Sequence, residues 1–276
     1  MEEGWFDLIA APVPGRTQKP RQTGLTMVMD KGLGLSQTRE LLELAAPYID
    51  FIKLGFGTSV LYSPGLLREK IRLARDAGVH VYPGGTFLEI AVVQHKLEAY
   101  LEKVARLGYT YVEVSDGTIS LDRARRDEAI RRARSLGLGV LAEVGKKDAR
   151  DRVSLATIRE EILADLAAGA EKVIIEGRES GQGVVIYDRR GKVRVAELEA
   201  LVAGVPSAAC LIWEAPQKHQ QQELILRFGA NVNLGNIPPG EVLALEALRR
   251  GLRGDTLRAS LLGEGALAAD GAPGSA

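Results

Sequence analysis

Four glutamates hold comparable positions in this chain of 276 residues. Each stands near the end of a short apolar run, where a solvated surface glutamate would be unusual; they are Glu113, Glu143, Glu176 and Glu214. Carboxylates that are brought close together raise one another's pKa or require a cation. If the four converge, they form either a metal site or ion pairs with nearby lysines, and the residues alone leave both interpretations open.

Cationic residues also follow apolar runs, and they are candidates for anion binding. They are Lys31, Lys53, Lys146, Lys147 and Arg178. An arginine can bind a carboxylate or phosphate through two hydrogen bonds, whereas a lysine acts as a point charge or, when its pKa is lowered, as a proton donor. The glycine-rich segments GFGTS, PGGT, SDGT and GN, the last at Gly235 and Asn236, add backbone N–H groups that bind phosphate. Together these features predict a pocket for a small anionic molecule.

The histidines constrain the kind of metal. His80, His95 and His219 lie inside an apolar run, within a helix pattern and at a helix start, so we expect all three to be structural. A site built from carboxylates and water favours Mg²⁺ or Mn²⁺ over zinc or iron. Mg²⁺ in turn commonly accompanies phosphorylated or carboxylated substrates.

Eight apolar, β-branched runs position these residues, and a helix-patterned stretch follows each run. The runs are LTMVMDKG, DFIKLGFGTS, VHVYPGGT, YTYVEVSDG, LGVLAEVGKK, EKVIIEGRES, ACLIWEAP and ANVNLGN. This alternation predicts a single α/β domain, a (β/α)₈ TIM barrel over residues 25–258. Residues 1–24 form an irregular N-terminal extension in this prediction, and residues 259–276 a disordered tail. Active sites of such barrels lie at the C-terminal ends of the strands, where the polar run ends would meet.

Composition excludes several partners. Lys plus Arg and Asp plus Glu each total 36, so no net charge favours nucleic acid or a membrane surface. Cys210 is the single cysteine, and the N-terminus lacks the basic and apolar regions of a signal peptide. We therefore expect a soluble cytoplasmic protein with a small-molecule partner.

The motifs at the run ends, taken in order, resemble one family. DKGLG, DFIKLGFGTS, VYPGGT, VEVSDG, EVGKK, VIIEGRESG, EAPQK and LRRGLRGDT are similar to the motifs of phosphosulfolactate synthases. The resemblance covers about Thr23 to Arg258, and it departs at the N-terminal extension and at Gly235, where the family is expected to carry alanine. It implies a Mg²⁺-dependent addition of sulfite to phosphoenolpyruvate that gives (2R)-phospho-3-sulfolactate, by a homo-oligomeric enzyme.

The resemblance also implies roles for individual residues. Metal ligation falls to Glu113 and Glu143 with Glu176, and Lys147 protonates C2 as the general acid, with Lys146 as its rival. Phosphate, carboxylate or sulfite binding falls to Lys31, Lys53, Arg178 and the turn at Gly235 and Asn236. Which cation meets which anion stays open. An ion pair between Lys147 and Glu143 is the structural alternative to catalysis.

Two other functions stay open from the sequence. A Schiff-base aldolase would use a strand lysine, and Lys53 lies inside a strand. Plant heat-stress-associated proteins, which are similar to this family and are known for thermotolerance, represent a non-catalytic alternative. The long segment GQGVVIYDRRGKVRV after the sixth run alternates like a small hairpin, and we consider it as a lid.

Overall fold

Eight parallel strands alternate with helices and close into one barrel, which confirms the predicted fold. The computed structural model describes residues 4–148, 151 and 153–262. The strands are β1 (Thr26–Asp30), β2 (Phe51–Leu54), β3 (His80–Pro83), β4 (Tyr111–Val114), β5 (Gly139–Val144), β6 (Lys172–Ile175), β7 (Leu211–Glu214) and β8 (Leu234–Ile237). The helices are α1 (Trp5–Leu8), α2 (Leu35–Ala45), α3 (Pro64–Asp76), α4 (Gly85–Val93), α5 (Leu97–Leu107), α6 (Arg123–Ser135), α7 (Leu155–Ala168), α8 (Val195–Val202), α9 (Lys218–Phe228), α10 (Val242–Arg249) and α11 (Gly254–Leu262).

Hydrogen bonds join the strands around the whole ring. Parallel ladders run in the order β3-β2-β1-β8-β7-β6-β5-β4. The remaining gap, between β3 and β4, is closed by Thr110, whose N–H donates to the Val81 carbonyl over 3.1 Å and whose Oγ1 accepts from the Val81 N–H over 3.0 Å. Because the ring is closed, the C-terminal ends of all eight strands surround one opening.

Strand alternation divides the buried side chains into two layers. One apolar cluster fills the space between strands and helices, and a smaller one, which includes Met27, Phe51, Tyr82 and Leu141, fills the barrel interior. Two residues beyond Phe51 and Leu141, on the same faces of their strands, come Lys53 and Glu143. The interior is therefore apolar at its N-terminal end and charged at its C-terminal end.

The N-terminal extension packs on the N-terminal end of the barrel through buried ion pairs. Arg21 binds Asp50 at the start of β2 over 2.8 Å, and Arg16 binds Glu246 of α10 over 3.1 Å. These contacts close the end of the barrel opposite to the charged layer. None of the helices in the described part of the chain has the length and apolar character needed to cross a membrane.

The structure bears on three local predictions, which concern β8, the C-terminal tail and the segment after β6. Gly235 and Asn236 do not form a turn: they lie inside β8, where one extra residue between the partners of Thr26 and Val28 makes a bulge. The tail predicted from residue 259 starts within α11, and residues 263–276 lie outside the described residues. The segment considered as a lid is packed, since Val184, Ile186 and Tyr187 are buried.

Candidate active site

A cavity of about 360 Å³ opens at the C-terminal end of the strands. Most of the residues predicted to form the site line this cavity: Lys53, Glu113, Glu143, Lys147, Glu176, Arg178, Glu214 and Asn236. Strand alternation explains why they meet, because the carboxylates of β4, β5 and β7 and the lysine of β2 all point into the barrel. Glu176 and Arg178 directly follow the end of β6.

Lys53 binds three of the carboxylates at the base of the cavity. Its Nζ lies 2.9 Å from Glu113 Oε2, 3.2 Å from Glu143 Oε2 and 3.1 Å from Glu214 Oε1. The lysine side chain is only 7% exposed. Burial lowers the pKa of Lys53, but the surrounding carboxylates outweigh it and raise the pKa well above its ordinary value. Lys53 donates hydrogen bonds to Glu143 and Glu214 and is ion-paired with Glu113, so its protonated amine is held by carboxylates and is not a nucleophile in this arrangement.

Lys147 contacts a different set of oxygens and reaches into the cavity. Its Nζ lies 3.1 Å from Glu143 Oε1 and 3.9 Å from Glu176 Oε2, and it donates to Thr86 Oγ1 over 3.0 Å. Burial lowers the pKa of Lys147, but Glu143 and Glu176 outweigh it and the pKa is raised. The lowered pKa expected of a proton-donating lysine is therefore not found. The ammonium is instead kept protonated beside the cavity.

The four glutamates differ in their electrostatic environment. Burial raises the pKa of Glu113 to about 7, with Glu143 adding to the effect. Burial also raises the pKa of Glu176 well above its ordinary value. For Glu143 burial is outweighed by the ammonium groups of Lys147 and Lys53, so its pKa is lowered. Glu143 therefore stays ionised beside the two lysines, whereas Glu113 and Glu176 lose their protons less readily than ordinary glutamates.

Backbone N–H groups fix two of the carboxylates. Gly85 at the start of α4 donates to Glu113 Oε1 over 2.6 Å, and Gly177 after β6 donates to Glu214 Oε2 over 2.9 Å. A Cβ on Gly177 would lie 2.5 Å from the Glu214 carbonyl oxygen. Glycine is therefore required where the ends of β6 and β7 approach each other.

We predict that Gly177→Ala lowers kcat/KM by about 100-fold, because the clash moves the β6 end and displaces Glu214 and its neighbours. Steady-state kinetics with Gly65→Ala as the control tests this, since a Cβ at Gly65 would have no atom within 4 Å. Equal kcat/KM values for the two variants would contradict the prediction.

One subset of the carboxylates has the spacing of a metal site. Glu143, Glu176 and Glu214 can each place an oxygen within 4.8 Å of the others, and all three are buried. Glu176 Oε2 is buried without a hydrogen-bond partner. The resemblance assigned Glu113 rather than Glu214 to the metal. In the structure Glu113 lies outside this subset, with its two oxygens next to Gly85 N and Lys53 Nζ.

Strained backbone is concentrated around the cavity. Among the described residues, five non-glycine residues have positive φ, and three of them, Phe56, Arg178 and Asn236, line the cavity. Asn236 Nδ2 donates to the Arg178 carbonyl over 3.4 Å and so connects β8 to the loop after β6. Such conformations cost free energy and persist where function requires a particular side-chain placement.

Three of the predicted residues lie outside the cavity. Lys146 is turned away, because its Nζ donates to the carbonyls of Asp116 and Ile119 over 2.7 and 2.9 Å. Lys31 forms an exposed ion pair with Glu179. Gly235 faces the barrel interior, where a Cβ would lie 2.6 Å from Met27 Cε.

Three further residues contact the predicted site residues although no sequence pattern marked them: Glu89, Ser115 and Thr86. Glu89 is buried on α4, and its Oε1 accepts from Ser115 Oγ over 2.7 Å and lies 3.7 Å from Lys147 Nζ. It stands in the apolar stretch GTFLEIAVV, where a lone glutamate resembles an ordinary exposed helix residue. A charged residue on the face expected to pack against the barrel was the available signal.

A closed (β/α)₈ barrel with a charged, strained cavity at the C-terminal ends of its strands is the architecture of a barrel enzyme that acts on a small molecule. The model of the (2R)-phospho-3-sulfolactate synthase family matches residues 14–255, and the chain belongs to this family.

Individual relatives agree with this assignment. The chain is 46% identical over 254 residues to the phosphosulfolactate synthase of Methanothermobacter thermautotrophicus, covering 91% of this chain and 97% of that one. It is only 23% identical to the heat-stress-associated protein 32 of Arabidopsis thaliana, over 85% of this chain and 88% of that one, so the non-catalytic alternative is not favoured. The 3-hexulose-6-phosphate synthase of Salmonella typhimurium has the same fold, with a TM-score of 0.56, 13% identity and coverage of 81% and 97% of the two chains.

Proposed function

We propose that this enzyme is a carbon–sulfur bond-forming lyase that adds sulfite to C3 of phosphoenolpyruvate and produces (2R)-phospho-3-sulfolactate. One observation carries the proposal: the protonated Lys147 stands beside a carboxylate cluster in a cavity that also presents Arg178. The cavity thus combines a proton donor, a cation-attracting cluster and an anion-binding group, and the family assignment supplies the substrates.

The carboxylate cluster fits a divalent cation. The four strand-end glutamates face two ammonium groups, those of Lys53 and Lys147, which leaves two negative charges in excess when all four carboxylates are ionised. Burial, with the neighbouring carboxylates adding to it, raises the pKa of Glu113 and of Glu176, and a bound cation would favour their ionised forms. Glu143, Glu176 and Glu214 would hold Mg²⁺ through their oxygens. When bound, Mg²⁺ would stabilise the charge that develops on the substrate carboxylate.

The reaction needs one new C–S bond and one proton. The sulfur lone pair of sulfite attacks C3, and the electrons of the C2–C3 double bond move toward C2 and the carboxylate. The Lys147 ammonium then donates its proton to C2 and recovers one from solvent. Phosphate stays attached throughout, so neither a leaving group nor an oxidant is required.

Other residues of the cavity orient the anions. Arg178 can bind a carboxylate or phosphate through two hydrogen bonds, and Asn236 holds the Arg178 backbone in its strained conformation. Thr86, at the start of α4, places its hydroxyl 3.0 Å from Lys147 Nζ. We propose that Lys53 organises the carboxylates and does not bind substrate, because it is buried and its ammonium is ion-paired with three carboxylates.

Glu176→Gln is predicted to weaken Mg²⁺ binding by about 10- to 100-fold, because it replaces a ligand oxygen and removes a negative charge. Calorimetric titration of the protein with Mg²⁺ measures this directly. Glu179→Gln is the control, since Glu179 lies near Glu176 at the rim and pairs with Lys31. An unchanged dissociation constant in Glu176→Gln would remove Glu176 from the metal site.

A reaction carried out in D₂O tests the proposed chemistry. The product should carry one deuterium at C2 and its sulfonate sulfur on C3, as read by proton and carbon NMR. Deuterium at C3, or sulfur on C2, would contradict the proposed positions of proton transfer and C–S bond formation.

We also propose that the enzyme is cytoplasmic, as its single cysteine indicates, and that it forms a homo-oligomer, as the family resemblance implies. The exposed apolar side chains of Phe56, Val60 and Leu61, close together in the chain after β2, support the second point, because monomers rarely expose such groups together.

A further inference from the structure

We propose that Glu89 is a positioning residue that fixes Lys147 for proton transfer, an inference that rests on the proposed function. Glu89 is only 2% exposed and lies on α4, next to the cavity and not among the residues that line it. A buried carboxylate requires specific partners. The partners of Glu89 all lead to Lys147.

The first link is the loop that follows β4. Ser115 Oγ donates to Glu89 Oε1 over 2.7 Å, and the Thr118 N–H donates to Glu89 Oε2 over 3.1 Å. Both oxygens of one carboxylate therefore hold the two ends of a four-residue segment. Within it, the Gly117 N–H donates to Ser115 Oγ over 3.2 Å, which fixes the middle of the loop.

The second link joins that loop to Lys147. The Lys147 N–H donates to the Gly117 carbonyl over 3.0 Å. A Cβ on Gly117 would lie 3.1 Å from both Cγ and Cε of Lys147, so the glycine backbone packs directly against the lysine stem. Movement of residues 115–118 would therefore move the Lys147 side chain.

The third link is electrostatic. Glu89 Oε1 lies 3.7 Å from Lys147 Nζ, and the same Nζ lies 3.1 Å from Glu143 Oε1 and 3.9 Å from Glu176 Oε2. Ser115 Oγ also lies 2.9 Å from Glu143 Oε1. A hydroxyl has one proton, so Ser115 donates to one carboxylate at a time. The carboxylate that does not receive the Ser115 proton still has a partner of its own: Glu89 has the Thr118 N–H, and Glu143 has the Lys147 ammonium.

The test uses Glu89→Leu, which removes the first and third links and leaves the loop that carries the second without its anchor, and Glu89→Gln, which keeps the volume and an oxygen acceptor. We expect kcat to fall by about 100-fold in Glu89→Leu and about 10-fold in Glu89→Gln, with KM for phosphoenolpyruvate changed less than about threefold. The solvent deuterium isotope effect on kcat should rise in both, because proton delivery becomes slower, and a merely structural residue would not change it.

Glu246→Gln is the matched control, since Glu246 is a buried, ion-paired glutamate at the opposite end of the barrel. It should lower the midpoint of thermal unfolding without altering the isotope effect. If the wild-type enzyme is active, two results would overturn the inference. One is a wild-type kcat and isotope effect in Glu89→Gln. The other is a rise in KM for phosphoenolpyruvate, in either Glu89 variant, as large as the fall in kcat. An inactive wild-type enzyme would instead contradict the proposed function.

Discussion

Lys147→Ala is expected to lower kcat by about 10²- to 10⁴-fold, the range that general acid catalysis contributes. Binding of phosphoenolpyruvate should change much less, because Lys147 acts on C2 and the anionic groups are held elsewhere in the cavity. Steady-state kinetics combined with calorimetric binding of phosphoenolpyruvate separates the two effects.

Lys146→Ala provides the control for this prediction. The two lysines are neighbours of equal charge, but Lys146 is bound to the loop after β4 through Asp116 and Ile119, outside the cavity. Its substitution should change kcat by less than about tenfold, through loss of loop contacts alone. A large loss in Lys146→Ala together with near wild-type kcat in Lys147→Ala would exchange the roles of the two residues.

Lys53→Met is expected to lower the free energy of unfolding by about 3–5 kcal/mol, since it leaves three buried carboxylates without their common partner. Urea unfolding followed by circular dichroism measures the change. Lys96→Met, which alters an exposed lysine, should leave the free energy of unfolding within about 0.5 kcal/mol of wild type.

A double variant tests whether the loss of stability in Lys53→Met comes from uncompensated carboxylates. Adding Glu113→Gln to Lys53→Met removes one of the uncompensated charges, so part of the lost stability should return. A Lys53→Met protein as stable as wild type would show that the lysine does not hold the carboxylates. If borohydride trapped a substrate on Lys53, the lysine would be a nucleophile. That result would contradict its role as a partner of the carboxylates and would support the aldolase mechanism.

Strand alternation made the barrel and its carboxylates predictable. Apolar runs with helix patterns between them identify the eight strands, and the parity of side chains along β4, β5 and β7 places Glu113, Glu143 and Glu214 in the interior. These are properties of local sequence that repeat along the chain. The family resemblance then supplied the reaction, which neither periodicity nor composition contains.

The partners of each charge were not predictable in the same way. That Lys53 binds three carboxylates depends on the diameter of the closed barrel, which brings β2 opposite β5 and β7. Lys146 and Lys147 diverge because of the loop conformation after β5. Glu89 joins the site only because α4 begins directly at the cavity and turns one buried face toward the loop after β4.

Phosphorus NMR of the purified enzyme with phosphoenolpyruvate, sulfite and Mg²⁺ tests the central claim most directly. Matched samples lack sulfite, contain EDTA, or contain Lys147→Ala in place of the wild-type enzyme. We predict a new organophosphate signal that requires both sulfite and Mg²⁺ and forms far more slowly with Lys147→Ala. Loss of phosphoenolpyruvate without sulfite, or no change together with no calorimetric binding of phosphoenolpyruvate, would contradict the account.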